Sequence, residues 1–193
     1  MNLMYEEYPT TIRVTGKDIK ILTDFRDCIL LMDLLKDQEI ELVEKIECIS
    51  QYILSDSGEY DFREAIDQYC DFLLMRDMKS NQYNDALEVG KEDDQPRKNL
   101  FSFSIDYPFI FSAFLHDYGI NIRTVPYMHW WEFRMLFDGL SEDTEIKQRI
   151  RYRGIDLNSI KDNEERKRVA KIQRAIMLPE EVLTDYDIGD VLW

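Results

Sequence analysis

Tyr127 to Leu140 reads Y-M-H-W-W-E-F-R-M-L-F-D-G-L, and this stretch decides the fold. It holds two of the chain's three tryptophans and one of its two histidines. Laid on a helix, Trp130, Phe133 and Phe137 follow i, i+3, i+7 spacing, while Met128, Trp131 and Met135 form a second row. A helix that is apolar on more than one side is buried between neighbours. Fully burying one large apolar side chain is worth roughly 1.5–3 kcal/mol, so several aromatics here outweigh anything a surface segment supplies. The spacing predicts a central helix around which the rest packs.

The chain has 193 residues, enough for one domain or two small ones with a sizeable core. Hydrophobic residues make up 45% and aromatic residues 12%, far from the profile of a disordered protein. Seven glycines and five prolines are too few for a turn-rich β-sandwich and favour helices. The predicted class is mainly α: a multi-helix bundle with a short N-terminal β-hairpin and one further candidate strand. A net charge of −15 argues against non-specific binding of nucleic acid or an anionic membrane by the whole surface. The N-terminus M-N-L-M-Y-E-E-Y-P lacks the basic region and apolar run of a signal peptide, and no stretch approaches the ~18–20 apolar residues of a membrane span. Cys28, Cys48 and Cys70 are odd in number and widely spaced, which predicts free thiols in a reducing cytoplasm.

Charge is unevenly distributed. Residues 1–100 carry 12 basic against 23 acidic residues, whereas Lys147 to Arg174 carries 10 basic against 4 acidic. The division read from the sequence is therefore a hairpin and acidic three-helix segment over 1–80, an acidic linker or long loop over 81–99, an aromatic-rich helical segment with two basic last helices over 100–179, and an acidic tail over 180–193.

In chain order, Thr10–Val14 and Asp18–Leu22 flank Thr15-Gly16-Lys17 as a hairpin. Thr23 or Asp24 caps a helix with Phe25, Cys28, Met32 and Leu35 on one face. A second helix is expected over Glu39–Leu54, with Leu42, Ile46, Ile49 and Ile53 aligned. A third is expected over Asp61–Lys79, with Phe62, Ile66, Tyr69 and Leu73 aligned, and the three suggest an antiparallel bundle. Leu100–Ile105 alternates like a strand. Asp106-Tyr107-Pro108 opens a helix that contains Phe114 and that Gly119 ends, and Thr124-Val125-Pro126 with Gly139 repeats that punctuation around the central helix. Ser141 is the expected cap of the next helix, which ends in Arg149, Arg151 and Arg153. Asp162-x-x-Glu165 starts the last, with Val169, Ile172 and Ile176 on one face before Pro179. Phe25, Met32, Phe62, Tyr69, Phe114, Trp131 and Phe137 are the expected structural core.

Signs of catalysis are weak. His129-x-x-Glu132 lacks the second histidine of a zinc-peptidase helix, and His116-Asp117 has no nucleophile marked beside it. The cysteines lack paired C-x-x-C spacing, so small buried hydrophobes are the better reading than a metal site. No phosphate-binding glycine loop or G-x-S-x-G occurs. No catalytic residue, metal or cofactor is expected. The basic helices over 147–174 suit an acidic protein surface, this protein's own N-terminal half or another copy. A DNA-reading helix–turn–helix is disfavoured by the length of the Gly154–Lys161 connection and by the acidic remainder.

The string M-H-W-W-E-F-R-M-L-F-D-G-L-S-E-D-T, starting at Met128, resembles the hallmark of the phage gene-product-fifteen family, small proteins of long-tailed phages and prophages of Gram-positive bacteria. Tyr8-Pro9, Thr23-Asp24-Phe25-Arg26, Phe101–Ile105, Ala113-Phe114-Leu115, Tyr118-Gly119-Ile120, Tyr152-Arg153 and Leu178-Pro179 extend the similarity over most of the chain. The resemblance implies a gene between those of the tail tube and the tape measure. It also implies a non-catalytic tail assembly chaperone in the host cytoplasm that coats the tape measure protein while tube subunits assemble. The implied partners are the tape measure protein and the tail tube protein, with self-association as a further contact and no specific nucleic acid or membrane. Trp130, Trp131, Phe133, Phe137, Arg149, Arg151 and Arg153 are the candidate contact residues. The competing readings are a structural virion component of the tail or connector, and a DNA-binding regulator using residues 147–174.

Overall fold

The computed structural model describes residues 5–37, 39–54, 60–76 and 100–179. Seven α-helices and a three-stranded antiparallel sheet occur among them, so the protein is mainly α. The described residues fall into two compact units: 5–76 with 127–133, and 100–126 with 134–179. The division expected from sequence placed 127–133 with the second half. The structure assigns that segment to the first.

In the first unit, β1 (Thr11–Val14) and β2 (Lys17–Ile21) pair with Ile12 opposite Ile19 and Val14 opposite Lys17. Thr15 and Gly16 have φ of 48° and 80°, the two left-handed residues that a tight two-residue turn needs to match strand twist. Alternation places Ile12, Val14, Ile19 and Ile21 on the buried face. α1 (Phe25–Lys36) starts at Asp24, whose carboxylate accepts from the Arg26 N–H, resolving the choice between Thr23 and Asp24. It buries Phe25, Cys28, Leu31, Met32 and Leu35.

The second helix is shorter than its apolar run suggests. α2 covers Leu42–Tyr52, and Ile53–Leu54 continue as β3, pairing with Ile21 and Lys20 of β2. A β-branched residue beside an open strand gains more from the ladder than from another helical turn. Leu42, expected on the buried face, is 46% exposed. Lys45 is buried instead, and its Nζ donates to the Leu35 carbonyl at 2.8 Å, tying α2 to the C-terminal turn of α1 where a cation is favoured.

α3 (Phe62–Leu73) is capped by Asp61, which accepts from the Arg63 and Glu64 N–H groups. It packs on β1, and α1 packs on α2, so a small sheet with helices replaces the expected three-helix bundle. Phe62, expected in the core, is half-buried at the first turn, with its ring 6.3 Å from that of Tyr60. Tyr69 lies inside and donates to the Leu22 carbonyl at 3.2 Å.

The second unit holds α4 (Tyr107–Tyr118), most of α5 (Trp130–Asp138), α6 (Glu145–Gly154), a 3-10 turn (Leu157–Ser159) and α7 (Asn163–Ile176). Gly119 ends α4 at φ 65°, as its position predicts. The central helix starts later than expected: Tyr127–His129 precede its first residue, and Asp24 and His129 form an isolated bridge. Met128 therefore precedes the helix rather than forming a second apolar row on it. Leu100–Ile105 is not a strand. The Asp106 N–H donates to the Ser102 carbonyl, closing a turn that sets Phe101 and Phe103 against Phe137, with ring centroids 5.0 and 5.3 Å away. The alternation came from this turn rather than a pleat. Helix α6 begins after Thr144 rather than Ser141, because the Thr144 hydroxyl donates to the Ser141 carbonyl and folds 141–144 into a turn of its own. Asp162 caps α7 as predicted, accepting from the Glu165 N–H at 2.7 Å. The segments 81–99 and 180–193, expected as a loop and a tail, lie outside the described residues, as do residues 77–79 of the expected third helix. No described helix is long and apolar enough to cross a membrane.

Candidate functional site

The expected contact residues divide between the two units. In the first, Trp130 and Trp131 are 0% and 1% exposed. Their indole N–H groups donate to the Leu73 and Phe72 carbonyls, each at 2.9 Å. These carbonyls belong to the last turn of α3, where a helix has no internal donors left. The two adjacent indoles thus close the C-terminus of a helix 57 and 59 residues earlier in the chain. Phe133 stacks on Phe25 with centroids 4.5 Å apart. Backbone bonds from Phe25 to Met128 and from Trp130 to Thr23, with the Thr23 and Tyr127 hydroxyls 2.8 Å apart, fasten the segment to the start of α1.

His129 completes the lock. Its Nδ1 accepts from the Trp131 N–H at 3.0 Å, so Nε2 carries the proton that is donated to the Pro9 carbonyl at 2.9 Å. The ring stacks on Tyr8, 4.8 Å away. Burial pushes the His129 pKa below its usual value, against a smaller upward pull from the Pro9 carbonyl, and keeps the imidazole neutral. Both ring nitrogens are occupied by backbone, so this histidine is built into the fold.

Two of the three thiols are similarly committed. Cys28 and Cys70 are buried, and desolvation pushes both pKa values up, that of Cys70 to about 11. They are protonated at neutral pH and behave as small apolar groups. Exposed His116 sits 2.7 Å from Asp117, whose hydrogen bond and charge raise its pKa, while the other Asp117 oxygen accepts from the Ser141 N–H.

In the second unit, Phe137 is 2% exposed between Phe101 and Phe103. Arg153, expected in an exposed basic patch, is 3% exposed. Its guanidinium forms a two-point pair with Asp106, at 2.6 and 2.9 Å, and donates to the carbonyls of Leu100 and Ile176. Asp106 therefore serves Arg153 and makes no cap bond to α4. Nothing local marks that pair in the sequence, because its members are 47 residues apart. Arg149 lies 3.7 Å over the Phe109 ring and bonds Glu145 at 2.8 Å, which leaves it half-buried. Arg151 is exposed.

Most of the basic surface that remains is on α7. Lys167, Lys171 and Arg174 follow i, i+4, i+7 spacing and are exposed, with Arg168 beside them. Lys167 and Glu164 form a pair 2.8 Å apart, but with both side chains mostly in solvent it contributes little. Gln173, on another side of α7, donates to the Tyr152 and Ile155 carbonyls at 2.8 Å and holds α7 against the end of α6.

Comparison with known proteins gives one finding. Residues 4–178 match the profile of the bacteriophage Gp15 protein family, the family the H-W-W string resembles, and the match covers nearly all the described chain. No curated protein and no solved structure matches. With aromatic segment, hairpin and last helix all inside the matched span, this chain belongs to the bacteriophage Gp15 protein family, a phage structural or morphogenesis protein by that membership.

Proposed function

We propose that this protein is a non-catalytic tail assembly chaperone that holds the tape measure protein in the host cytoplasm during tail construction. Family membership over residues 4–178 is the observation that carries this reading. A net charge of −15 supports it, since like-charged copies repel one another while partners are held. Trp130, Trp131, Phe133 and Phe137 are occupied inside the fold, so the α7 cations are the better contact surface, and they suit acidic stretches of a helical partner.

Co-expression of the tape measure protein with this chain should raise its soluble yield and allow co-purification. Lys167→Glu, Lys171→Glu and Arg174→Glu together should reduce that recovery while the far-ultraviolet circular dichroism stays unchanged. An unchanged soluble yield and no co-purification would sink the chaperone reading. Detection at fixed copy number in purified particles by mass spectrometry would make the protein a structural part of the tail or connector. The DNA reading loses ground because Arg153 is paired inside and Arg149 is stacked on Phe109. Salt-dependent retention on DNA, lost on reversing the α7 charges, would revive it.

A further inference from the structure

Among the described residues, the sheet order β1-β2-β3 leaves one long edge of β1 without a strand. The Ile21 N–H donates to the Thr10 carbonyl, so the even-numbered residues of β1 turn their backbone groups toward β2, and the odd-numbered ones turn theirs outward. Two outward groups are already taken: the Pro9 carbonyl by His129, and the Thr15 N–H by the Glu64 carboxylate at 2.8 Å. Between them, Thr11 and Arg13 present two N–H and two C=O groups that meet no partner among the described residues. An exposed strand edge of this kind is a template for another strand.

This edge borders a cavity of about 210 Å³. Thr11 and Arg13 form one side, Gln68 and Asp71 of α3 another, and Phe72 and Trp131 supply aromatic walls. A strand laid on β1 sends alternate side chains to the same side as Ile12, where the cavity can take one of them. Aromatic walls with a carboxylate and an amide suit the stem and head of a long basic side chain. Arg13 and Asp18, opposite each other on the hairpin, offset in charge, so Asp71 sets the sign. Among its partners, Arg76 at 2.8 Å is 62% exposed, and such a surface pair exchanges for an incoming cation at little cost.

We propose that the β1 edge and this cavity form a binding site for an extended peptide, which adds as a fourth strand along Thr11–Arg13 and inserts a Lys or Arg side chain beside Asp71. A second copy of β1 fits less well, because its inward residues are Thr10, Ile12 and Val14, none of them basic. The 180–193 segment contains no Lys or Arg either. The site is independent of the chaperone reading and of the α7 cations.

The test uses the full chain and a fluorescein-labelled heptapeptide alternating Thr and Val around a central Lys, read by fluorescence anisotropy. Saturable binding is expected. It should fall about tenfold when the central Lys is replaced by Glu, the scale of one charge-assisted hydrogen bond. It should vanish when the peptide is N-methylated on the edge facing β1. Asp71→Asn should erase the preference for Lys over Glu. Arg13→Pro removes an outward N–H, which an edge strand tolerates, and should abolish binding. Thr11→Pro is the second variant should Arg13→Pro fail to fold by near-ultraviolet circular dichroism, and the N-methylated probe needs no variant at all. Equal binding of the N-methylated probe, or no saturable binding of any probe, overturns the proposal. So does a dimer in light scattering that Arg13→Pro converts to monomer, since the edge would then belong to a second copy.

Discussion

Both units close the C-terminus of a helix with side-chain donors from elsewhere in the chain, and they do so with opposite chemistry. The first caps α3 with two neutral indole N–H groups embedded in aromatic packing. The second caps α7 with the Arg153 guanidinium, which can be buried only because Asp106 neutralises it in a two-point pair. An indole contributes apolar area and a donor together, and its loss leaves mainly a void. A buried ion pair contributes little net stability while intact, yet removing one member strands the other charge. The same local problem therefore yields a volume-sensitive unit and a charge-sensitive one.

That contrast breaks most visibly at Trp131. Trp131→Ala should cost roughly 3–5 kcal/mol in chemical denaturation, through cavity formation and the loss of one of the two donors to the Phe72 carbonyl, which keeps the Met75 N–H. A near wild-type midpoint would mean that the ring is not packed as described. Asp106→Asn should cost about 3 kcal/mol by leaving the Arg153 charge buried and unbalanced. Replacing both partners together, Asp106→Leu with Arg153→Met, should recover most of that loss. A double variant as unstable as the single one would show that the carbonyls of Leu100 and Ile176, rather than Asp106, set the requirement for the guanidinium.

A smaller effect sharpens the comparison at the opposite helix ends. Asp61→Ala on α3 and Asp162→Ala on α7 remove equivalent N-terminal caps and should each cost about 1 kcal/mol. Unequal costs, measured by thermal melts of each variant, would show how far each helix depends on its far end instead. The smallest effect concerns His129. Its pKa is lowered in the folded chain, so the unfolded chain takes up the proton first as pH falls. The contribution of the neutral ring is complete above its ordinary value of about 6.5 and is lost as pH drops from there toward the lowered folded value. His129→Asn should flatten that part of the stability profile relative to the parent chain, with the carboxylate contributions common to both.

What the sequence made legible was local. Asp162 and Gly119 act within one turn of their own positions, so their residue types were sufficient, whereas at the start of α1 residue type only narrowed the cap to Thr23 or Asp24. The hairpin was legible for the same reason, although its turn is Thr15-Gly16 alone and Lys17, read as part of the turn, already pairs with Val14 in β2. Ile53 shows where local reading fails. Its helical spacing from Ile49 was real, but β2 offered a ladder that the spacing could not reveal. The candidate site was less legible than the fold. Tryptophans, a histidine and arginines were singled out correctly as unusual, yet their roles depend on carbonyls and a carboxylate many residues away. The α7 cations stood out as charge, but only the structure separates Lys167, Lys171 and Arg174 from the buried Arg153.

The discontinuity of the first unit bears on the order of synthesis. Residues 5–76 leave the ribosome well before Tyr127–Phe133, and residues 100–126 of the other unit emerge between them. Until Trp130 and Trp131 arrive, the Leu73 carbonyl has no indole to accept from, and Phe25 has no Phe133 to stack on. N-terminal domains commonly fold first during translation. Here the N-terminal unit must wait until about residue 133 has been made, so a stalled or truncated chain ending near residue 126 would expose its unfinished core.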